Sequence, residues 1–414
     1  MSAEQTYDVI VVGGGLAGGL AALSLARAGF SCALVDAADP AAMQTEAFDG
    51  RTTALAYACA RVYKRLGVWE AITPYAEPIR DILVTDGRIG GARRAAAISP
   101  FHLHFDSREL ANGEPLGWII ENRYMHRAVY DALATDAGVE IFAPAQRTGL
   151  MIDQRGAVVS LADGASLSAS LVVAADGRHS PLRREAGINI NTWSYGQTGL
   201  VVTVAHEKPH NGLAQEFFLP SGPFAMLPLT DNRSSLVWTE RSSSADAYMA
   251  LDDSGFLAAV KERFGDHLGE LSLASPRWAY PLALHIAQSF AGPRLALIGD
   301  AAHAVHPIAG QGFNLGVKDI AALTDVLRET RDAGLDIGSM AALEQYQRWR
   351  RFESTSLSYG MDALTRLFSN DLPPLRFARD IGIGAVNAVG PLRRFFMRQA
   401  GADVGRLPSL MAPF

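Results

Sequence analysis

The hydrophobic pattern at the start of the chain predicts a strand, a turn, a helix and a second strand. Residues 7–12 form an apolar run rich in Val and Ile, and the glycine-rich segment 13–19 follows it. The sequence then predicts a helix from about residue 20 to residue 28 and a strand over residues 31–36. Apolar runs without polar alternation are typical of parallel strands that are covered on both faces. The beginning of the chain therefore predicts one βαβ unit.

Two later apolar runs end in polar residues. Residues 170–175 are followed by Asp176, and residues 294–298 are followed by Gly299 and Asp300. Ligands of an open parallel sheet bind outside the carboxyl ends of its strands. We therefore expect these two acids to lie at one sheet edge, together with the first glycine turn.

The pattern changes in the middle of the chain to alternating segments separated by Gly, Pro, Asn and Asp. Residues 198–205, 215–219 and 235–239 are such segments, and this punctuation predicts antiparallel strands. The predicted fold class is α/β, or α+β overall: a Rossmann-like dinucleotide-binding domain, an interleaved antiparallel substrate domain and a C-terminal helical segment. The predicted boundaries are 1–78, 106–188 and 281–342 for the first domain, 79–105 and 189–280 for the second, and 343–414 for the helical region.

Composition narrows the class of protein. The 414 residues are 49% hydrophobic and 19% charged, which excludes a disordered chain. A net charge of −6 provides no basic footprint, so nucleic acid is not an expected partner. The uncharged run 9–26 contains five glycines and follows Glu4 and Asp8, so it predicts neither a signal peptide nor a membrane span. Cys32 and Cys59 lack CxxC spacing, which favours a reducing, cytoplasmic compartment.

Gly13, Gly15 and Gly18 form a GxGxxG pattern between the first strand and the first helix. Missing side chains let the backbone approach a pyrophosphate, whose charge the amino terminus of the helix stabilises. Asp36 ends the next strand, where a carboxylate binds the ribose of a dinucleotide. The alternative is a glycine turn without a ligand. The strand, helix and acid together favour a dinucleotide, without choosing between FAD and NAD.

The segment around Asp300 favours FAD over NAD. An acid at this strand end, far along the chain from the first motif, can bind a ribityl hydroxyl, which NAD lacks. Residues 307–316 then lead into a helix predicted over residues 316–327, and their small side chains leave backbone N–H groups able to face a flavin. The amino terminus of a helix stabilises the negative charge of a reduced flavin. The alternative is that Asp300 only caps a helix.

Three motifs make the chain resemble the flavoprotein aromatic hydroxylases of the p-hydroxybenzoate hydroxylase type. They are Gly13-x-Gly15-x-x-Gly18, the segment 175–183 around Asp176, and the Gly299-Asp300 pair. Within that superfamily the chain is most similar to the ubiquinone-biosynthesis monooxygenases that hydroxylate polyprenylphenols. The supporting motifs are Asp49-x-Arg51, Trp193-x-Tyr195-x-Gln197, and segments 218–228, 299–303, 310–315 and 364–368.

The resemblance implies FAD as the cofactor and assigns its contacts by position. The three glycines and Asp36 would hold the adenosine diphosphate half, although relatives generally have Glu at the position of Asp36. The other implied contacts are Arg51 near the pyrophosphate or flavin, Asn122 on the flavin side, Asp176 where the FAD and nicotinamide sites meet, Asp300 on the ribityl chain, and Gly312 and Asn314 beside the isoalloxazine ring.

The reaction implied by the resemblance is hydroxylation of an electron-rich phenol that carries a lipid tail. NADPH or NADH would reduce FAD, dioxygen would add at flavin C4a, and the hydroperoxide would deliver oxygen to the ring. With a single GxGxxG, the nicotinamide would bind transiently across the FAD domain. The sequence does not choose a base for the phenol. Hydroxylation of a soluble aromatic, reduction of an isoprenoid double bond, and a non-catalytic flavin-binding subunit of a biosynthetic complex remain alternatives.

Histidines at positions 303 and 306 have the spacing of metal ligands, with His206 and His210 as further candidates. A catalytic metal needs a third ligand and an open position. Because His303 and His306 fall inside the predicted flavin segment, we expect no metal.

Two apolar clusters have open interpretations. The first is expected either to line a substrate pocket or to pack in a core, and consists of Phe217, Phe218, Phe224, Met226 and Leu227. The second mixes cations with aromatic residues and consists of Arg393, Arg394, Phe395, Phe396 and Arg398. This pattern is typical of an interfacial helix at anionic lipid. A helix docked on its own protein is the alternative, and a contact with a ubiquinone-biosynthesis complex is also open.

Overall fold

The described residues form three sheets with helices packed around them. The computed structural model describes residues 5–45, 50–86, 102–110, 113–307, 310–369 and 373–414, and for residues 373–378, 380 and 381 it describes the backbone alone. Asp49, and residues 87–101 of the predicted segment 79–105, lie outside these residues. The predicted α/β class is confirmed, because a parallel sheet and an antiparallel sheet are both present.

The bounds of the elements are as follows. The strands are β1 (Gln5–Val12), β2 (Cys32–Val35), β3 (Thr52–Ala56), β4 (Glu77–Ile79), β5 (Asp81–Asp86), β6 (His102–Asp106), β7 (Gly117–Glu121), β8 (Val139–Phe142), β9 (Arg147–Ile152), β10 (Ala157–Leu161), β11 (Ser166–Ala174), β12 (Ile190–His206), β13 (Leu213–Leu219), β14 (Gly222–Leu229), β15 (Arg233–Arg241), β16 (Leu271–Leu273), β17 (Trp278–Ala287), β18 (Ala291–Gly292), β19 (Leu295–Leu297) and β20 (His303–Ala304). The helices are α1 (Leu16–Arg27), α2 (Tyr57–Arg65), α3 (Trp69–Ile72), α4 (Asn122–Leu133), α5 (Pro181–Glu185), α6 (Ser242–Met249), α7 (Asp253–Phe264), α8 (Gln311–Asp332), α9 (Met340–Phe368), α10 (Pro373–Ala388) and α11 (Gly390–Ala400).

The first sheet carries the predicted βαβ unit. Its central strands lie in the order β19-β11-β1-β2-β8, and each neighbouring pair is parallel. Val9 in β1 pairs with Leu171 on one side and with Cys32 on the other, and all three are fully buried. β18 pairs antiparallel with β19, and β9 and β10 extend from β11. Helix α1 packs on β1 and β2 and contacts α4 and α8, which explains the uninterrupted apolar runs.

The second sheet is antiparallel apart from one strand pair. Its order is β20-β17-β12-β15-β14-β13-β5-β6, with β16 also paired to β12, and only β13 and β5 run parallel among the described strands. One face packs against α6 and α7 to form a separate core, to which Leu200, Trp238 and Phe256 contribute. A small third sheet, β3-β7-β4, contacts β14 and the helix α8.

The predicted domain boundary at residue 280 falls within a continuous strand. β17 runs from Trp278 to Ala287 and pairs with β12 along most of its length, from Trp278 opposite Val201 to Ala287 opposite Ile190. The second sheet therefore extends past residue 280, and β20 adds to it at the Ile286 position. β5 and β6, which lie within the predicted segment 79–105, also belong to this sheet, because β5 pairs with β13 and with β6. The division into domains stays a prediction.

The C-terminal region is helical through α9, α10 and α11, and its last residues return to the first domain. Arg61 of α2 donates a hydrogen bond to the carbonyl of Met411 at 3.1 Å, and Tyr57 donates one to Asp403 at 2.9 Å. The helical region begins at Met340, slightly before the predicted residue 343. Within the described part of the chain, no helix combines the length and the apolar character that crossing a membrane requires.

Candidate active site

The predicted glycine turn lies at the carboxyl end of β1. Gly13 has φ +106°, and a Cβ atom there would lie 2.3 Å from the carbonyl oxygen of Ala175. A Cβ atom at Gly18 would lie 1.7 Å from the carbonyl oxygen of Gly13. At Gly15, the residue that precedes α1, a Cβ atom would meet nothing within 4 Å. Two glycines therefore allow close packing, and the third leaves open space at the amino terminus of α1.

Asp36 lies directly against this turn. Its carboxylate accepts hydrogen bonds from the backbone N–H of Gly14 and from that of Ala38, the latter at 2.6 Å. Tyr130 donates a hydrogen bond to the carbonyl oxygen of Gly14 at 2.8 Å, and His126 stacks on Tyr130 at 4.2 Å. A carboxylate has about four acceptor positions, so two remain for a ribose. Asp36 therefore both braces the turn and stays able to bind a nucleoside.

Tyr130 and His126 were not predicted as site residues. Burial raises the pKa of Tyr130 and lowers the pKa of His126, so both side chains are neutral near pH 7. They lie on α4, far along the chain from the glycine motif. Their position in the sequence carries no signal of this contact, because only the packing of α4 against α1 brings them there.

Asp176 lies behind the glycine turn, one strand away. Its Oδ2 accepts a hydrogen bond from the backbone N–H of Leu182 at 3.1 Å, while its buried Oδ1 has no hydrogen-bond partner among the described residues. Burial raises the pKa of Asp176. Because β19, β11, β1 and β2 are parallel neighbours, Asp300, Asp176, the turn and Asp36 follow one another along a single sheet edge. This is the arrangement that the sequence predicts.

Asp300 is exposed in a short 3₁₀ turn, Gly299–Ala301, that follows β19. Behind it, Asp319 of α8 accepts hydrogen bonds from the backbone N–H of Gly299 at 3.2 Å, from His303 Nε2 at 2.6 Å and from Arg350 Nε at 2.9 Å. The side chains of His303, Asp319 and Arg350 are completely buried. One buried carboxylate therefore holds the turn that presents Asp300.

The ionisation of Asp319 follows from these neighbours. Burial alone would raise its pKa, but His303 and Arg350 outweigh burial and lower it. This network was not predicted, because the sequence analysis considered His303 only as a candidate metal ligand.

Two other candidate metal ligands contact backbone carbonyls. His206 contacts the carbonyl of Lys208 at 2.7 Å, and His210 contacts that of Leu229 at 2.7 Å. The described residues contain no group of three or more His, Cys, Asp or Glu side chains arranged to hold a metal ion.

Asn314, one of the two residues predicted beside the flavin ring, contacts β3. Asn314 of α8 donates to the carbonyls of Ala54 at 2.8 Å and Gly310 at 3.0 Å, and its Oδ1 accepts from the N–H of Ala56 at 2.9 Å. Gly312 lies in the first turn of the same helix. Asn314 therefore fixes the strand and the loop before α8, and its predicted contact with the ring stays a prediction.

Asn122 and Arg51 lie at the other end of β3. Asn122 accepts a hydrogen bond from Thr53 at 2.7 Å, and its backbone N–H donates to the carbonyl of Arg51 at 3.1 Å. The exposed guanidinium of Arg51 lies 5.9 Å from the centre of the Tyr280 ring. The contacts implied for both residues with the cofactor stay predictions.

A cavity of about 200 Å³ lies between the third sheet and the second sheet. The strands that line it are β3, β4 and β7 of the third sheet and β5, β6, β13, β14 and β15 of the second, and Pro307, Gly310 and Ala400 close it on the side of α8 and α11. Most of the lining side chains are apolar. The cavity therefore lies next to Gly312 and Asn314, the residues predicted beside the flavin ring, since Gly310 and Gln311 line it.

The interpretation of the five apolar residues is now resolved for the described structure. Only Leu227 lines the cavity. Phe217, Phe224 and Met226 point to the opposite face and pack in the separate core with α7, and Phe218 stacks on Phe368 at 4.2 Å. Strand alternation explains the division, because neighbouring residues face opposite sides of the sheet.

Comparison with known proteins agrees with this geometry. The family described as "FAD binding domain" matches residues 6–354. A ubiquinone hydroxylase, UbiL, of Rhodospirillum rubrum is 45% identical over 399 residues, which cover 96% of this chain and 90% of UbiL. The 3-demethoxyubiquinol 3-hydroxylase of Escherichia coli is 33% identical, and the match covers 96% of this chain and 99% of that enzyme. This chain belongs to the ubiquinone-biosynthesis family of FAD-dependent monooxygenases.

Solved structures support the fold of this monooxygenase family. The p-nitrophenol 4-monooxygenase PnpA of Pseudomonas putida superposes with a TM-score of 0.76 at 19% identity, and the match covers 97% of this chain and all of PnpA. At that identity the likeness concerns the fold. The FAD-binding fold, predicted from the glycine turn together with the Asp300 segment and the family resemblance, is confirmed.

FAD is the cofactor of this family, and the residues present fit it. The open space at Gly15 leaves the backbone N–H groups of the first turn of α1 accessible to a pyrophosphate. Asp300 projects into solvent at the same sheet edge, and the buried Oδ1 of Asp176 has no described protein partner. A long ligand with phosphates at one end and a polar chain toward Asp300 matches these three features.

Proposed function

We propose that this chain hydroxylates the ring of a polyprenylated phenol in ubiquinone biosynthesis, with FAD, NAD(P)H and dioxygen. The observation that carries the proposal is an apolar cavity whose wall includes Ala54 and Gly310, the two residues whose carbonyls Asn314 binds. An apolar pocket with a few polar groups is the usual form of a small-molecule site. The names of the UbiL and Escherichia coli relatives support the pathway.

The size of the cavity fits one aromatic ring. A dry cavity of about 150 Å³ holds benzene, and the cavity here measures about 200 Å³. A phenol ring with one or two small substituents would fill it, and a polyprenyl tail would have to extend outside. Filling the cavity excludes water from the reacting ring, which favours oxygen transfer over release of hydrogen peroxide.

The chain's own residues bind and orient the reactants. Bound FAD supplies the transfer of electrons from NAD(P)H to dioxygen and thereby the oxygen atom that enters the ring. The amino terminus of α1 would hold the pyrophosphate, and Asp300 would hold the ribityl chain. Asn314 fixes β3 and the loop at Gly310, two parts of the cavity wall. This support would set the distance between the substrate ring and the flavin.

Turnover with a lipid phenol tests the proposal. The purified protein with FAD should oxidise NAD(P)H faster when a short-chain polyprenylphenol is added, and one atom of ¹⁸O₂ should enter the ring. A protein with full FAD content that neither consumes NAD(P)H nor forms a hydroxylated product with such phenols would contradict the proposal. Product formed only from tail-free phenols would assign the enzyme to soluble aromatics.

We also propose a peripheral contact with a membrane surface through α11. Leu392, Phe395 and Phe396 share one face of this helix and are 39%, 54% and 39% exposed. Arg394 and Arg398 are also exposed on the same helix. An apolar face flanked by cations binds anionic lipid. Ala400, the last residue of α11, lines the cavity, so a lipid tail could leave the cavity along this helix.

Vesicle sedimentation tests the membrane contact. The full chain should bind vesicles that contain anionic lipid, and the double variant Phe395→Ser, Phe396→Ser should bind at least about tenfold more weakly, since two aromatic side chains lose their burial in the interface. Met151→Ser is a matched control, because Met151 is 68% exposed on β9 in the first domain. Equal binding of the double variant and the unchanged protein would refute this contact.

A further inference from the structure

We infer that Thr239 and Gln197 form the subsite of the cavity that binds the hydroxyl group of the substrate ring. The inference rests on the proposed function and deepens it, because it says how the ring is recognised and oriented. Thr239 belongs to β15 and lines the apolar cavity, and Gln197 belongs to the neighbouring strand β12. Neither residue is among the predicted site residues.

The register of the second sheet puts both side chains on its cavity face. Thr239 lies opposite Gly199, which is two residues from Gln197 on β12. Val237, two residues from Thr239 on β15, also lines the cavity, whereas Trp238 between them packs in the separate core. Residues two apart on a strand share a face, and residues directly opposite each other on paired strands do so too. Thr239 and Gln197 therefore face the same side as the cavity.

Both side chains carry a buried oxygen that has no hydrogen-bond partner among the described residues. Thr239 is 1% exposed and Gln197 is 7% exposed, and the two unpartnered atoms are Thr239 Oγ1 and Gln197 Oε1. The other end of the Gln197 amide is occupied, because its Nε2 donates to the carbonyl of Ser221 at 2.7 Å and to Ser369 Oγ at 3.4 Å. Gln197 Oε1 can therefore only accept a hydrogen bond, whereas the Thr239 hydroxyl can donate and accept.

The two side chains lie against the same glycine. A Cβ atom at Gly222 would lie 2.5 Å from Thr239 Cγ2 and 2.9 Å from Gln197 Nε2. The next residue, Pro223, lines the cavity together with Thr239. A single polar group of a ligand beside Thr239 would therefore have a second partner, Gln197, close to the first.

Thr239 also differs from the other polar side chains of the lining. Among the described lining residues, it alone has a buried side-chain oxygen without a hydrogen-bond partner. A mostly apolar pocket orients its ligand through the few polar groups that it offers. The Thr239 hydroxyl is such a group. The remaining polar lining residues already interact within the protein, and they are Thr52, Gln215, Glu216 and Gln311.

A ring hydroxyl is the ligand group that satisfies both oxygens. It can donate its proton to Gln197 Oε1 and accept a hydrogen bond from the Thr239 hydroxyl. A ring without the hydroxyl would leave both buried oxygens unpartnered, and a site built to bond a substrate hydroxyl rejects the analogue that lacks it. Binding the hydroxyl also fixes the rotation of the ring within the cavity. The subsite would thereby choose the ring carbon that is presented for hydroxylation.

Thr239→Val tests the inference, because it removes the hydroxyl and keeps the branched shape. Calorimetric titration of the FAD-loaded protein with a short-chain prenylphenol, and with the same prenylated ring without its hydroxyl, measures both affinities. The unchanged protein should prefer the phenol by about tenfold or more. Thr239→Val should lose most of this preference through weaker phenol binding, and the stability of its apoprotein should not fall, because the hydroxyl has no described protein partner. Thr239→Ser, which keeps the hydroxyl, should retain most of the preference.

Two further variants complete the test. Gln197→Leu should also lower the preference for the phenol, with some loss of stability because its bond to the Ser221 carbonyl is lost. Thr192→Val replaces an exposed threonine of β12 and should change neither affinity.

The contrary results are separable from those of the proposed function, because they concern binding. Equal affinity of the unchanged protein for the two ligands would overturn the inference, and so would an undiminished preference in Thr239→Val or in Gln197→Leu. The same holds if Thr239→Ser is as impaired as Thr239→Val, or if Thr239→Val markedly destabilises the apoprotein, since the hydroxyl would then bond within the protein. The proposed function itself fails only if the unchanged enzyme with full FAD does not hydroxylate lipid phenols.

Discussion

The nucleotide end and the ring end of the site are built in different ways. The nucleotide end consists of a single turn, residues 13–18, and one acid, Asp36, which accepts a hydrogen bond from the backbone of that turn. At the ring end, the cavity is assembled from eight strands of two sheets together with residues near α8 and α11. A local motif can be found in a sequence, whereas a cavity wall exists only after distant strands have paired.

The largest expected effect is a loss of stability at the nucleotide end, where the backbone of Gly13 packs closely against the backbone of Ala175. In Gly13→Val the new side chain would collide with the carbonyl oxygen of Ala175, 2.3 Å from the Cβ position, at a φ of +106° that Val rarely adopts. We expect the unfolding free energy of the apoprotein to fall by about 3 kcal/mol or more, since backbone cannot move aside cheaply. Urea unfolding and flavin content of the purified protein measure this effect.

Gly15→Ala should differ from Gly13→Val, because it should lower FAD affinity with little loss of apoprotein stability. Because a Cβ atom at Gly15 meets nothing within 4 Å, the apoprotein should lose less than about 1 kcal/mol, in line with other changes at uncrowded sites. FAD affinity should nevertheless fall, because the methyl group occupies space left for the pyrophosphate. Equal losses of apoprotein stability in the two variants would remove the distinction between packing and ligand-facing glycines.

Asp300→Ala should weaken FAD binding by about tenfold to a hundredfold, the range for lost hydrogen bonds to a charged group. Asp300 is exposed in its turn, so the stability of the apoprotein should hardly change. Fluorescence titration of the apoprotein with FAD measures the affinity. Asp131→Ala, which removes an exposed acid of α4, is the control. Unaltered FAD affinity in Asp300→Ala would contradict the assigned ribityl contact.

Ala225→Phe tests whether the ring end can be altered without a loss of FAD from the nucleotide end. The larger side chain would project into the cavity from β14, so the KM for a phenol substrate should rise by about tenfold or the product ratio should fall, while FAD stays bound. Each lost contact of about 1.4 kcal/mol corresponds to a factor of ten. Ala162→Phe adds the same side chain at an exposed position after β10 and should have no effect. Loss of FAD in Ala225→Phe would show that the two ends are not independent.

The smallest expected effect is a pH dependence of stability at the ring end. Burial lowers the pKa of His306 from 6.5 to about 4. Between these values the unfolded chain binds more protons than the folded one, so the contribution of His306 to stability falls as the pH falls from 6.5 toward 4 and is constant above 6.5. Thermal unfolding across this range should show a shallower slope in His306→Gln. An identical slope would mean that His306 does not bury a neutral ring.

The sequence predicted the edge of the first sheet better than its helix starts. The acids at positions 36, 176 and 300 were placed correctly at strand ends, because apolar runs mark parallel strands and polar residues mark their termini. Helix α1 begins at Leu16 rather than near residue 20, although Gly18 and Gly19 disfavour helix. The close approach of Gly18 to the Gly13 carbonyl overrides the propensity.

The cavity at the ring end was not predicted, because its lining depends on the register in which distant strands pair. The segment 217–227 is mostly apolar, and its sequence does not show which residues face the cavity until β13 pairs with β5 and β14. The hydrogen bonds of Asp319 were not predicted either, because its partners His303 and Arg350 come from β20 and α9. Both features depend on contacts between residues that are far apart in sequence, which composition and periodicity do not encode.

The Asp319 carboxylate also limits how sequences of this family can be recombined. It bonds to residues of three segments at once, around positions 299, 303 and 350. In a chimera between two relatives, a crossover placed between α8 and α9 would separate Arg350 from the acid it pairs with, and a mismatched partner would leave a buried charge uncompensated. Residues 299 to 354 should therefore be exchanged as one block.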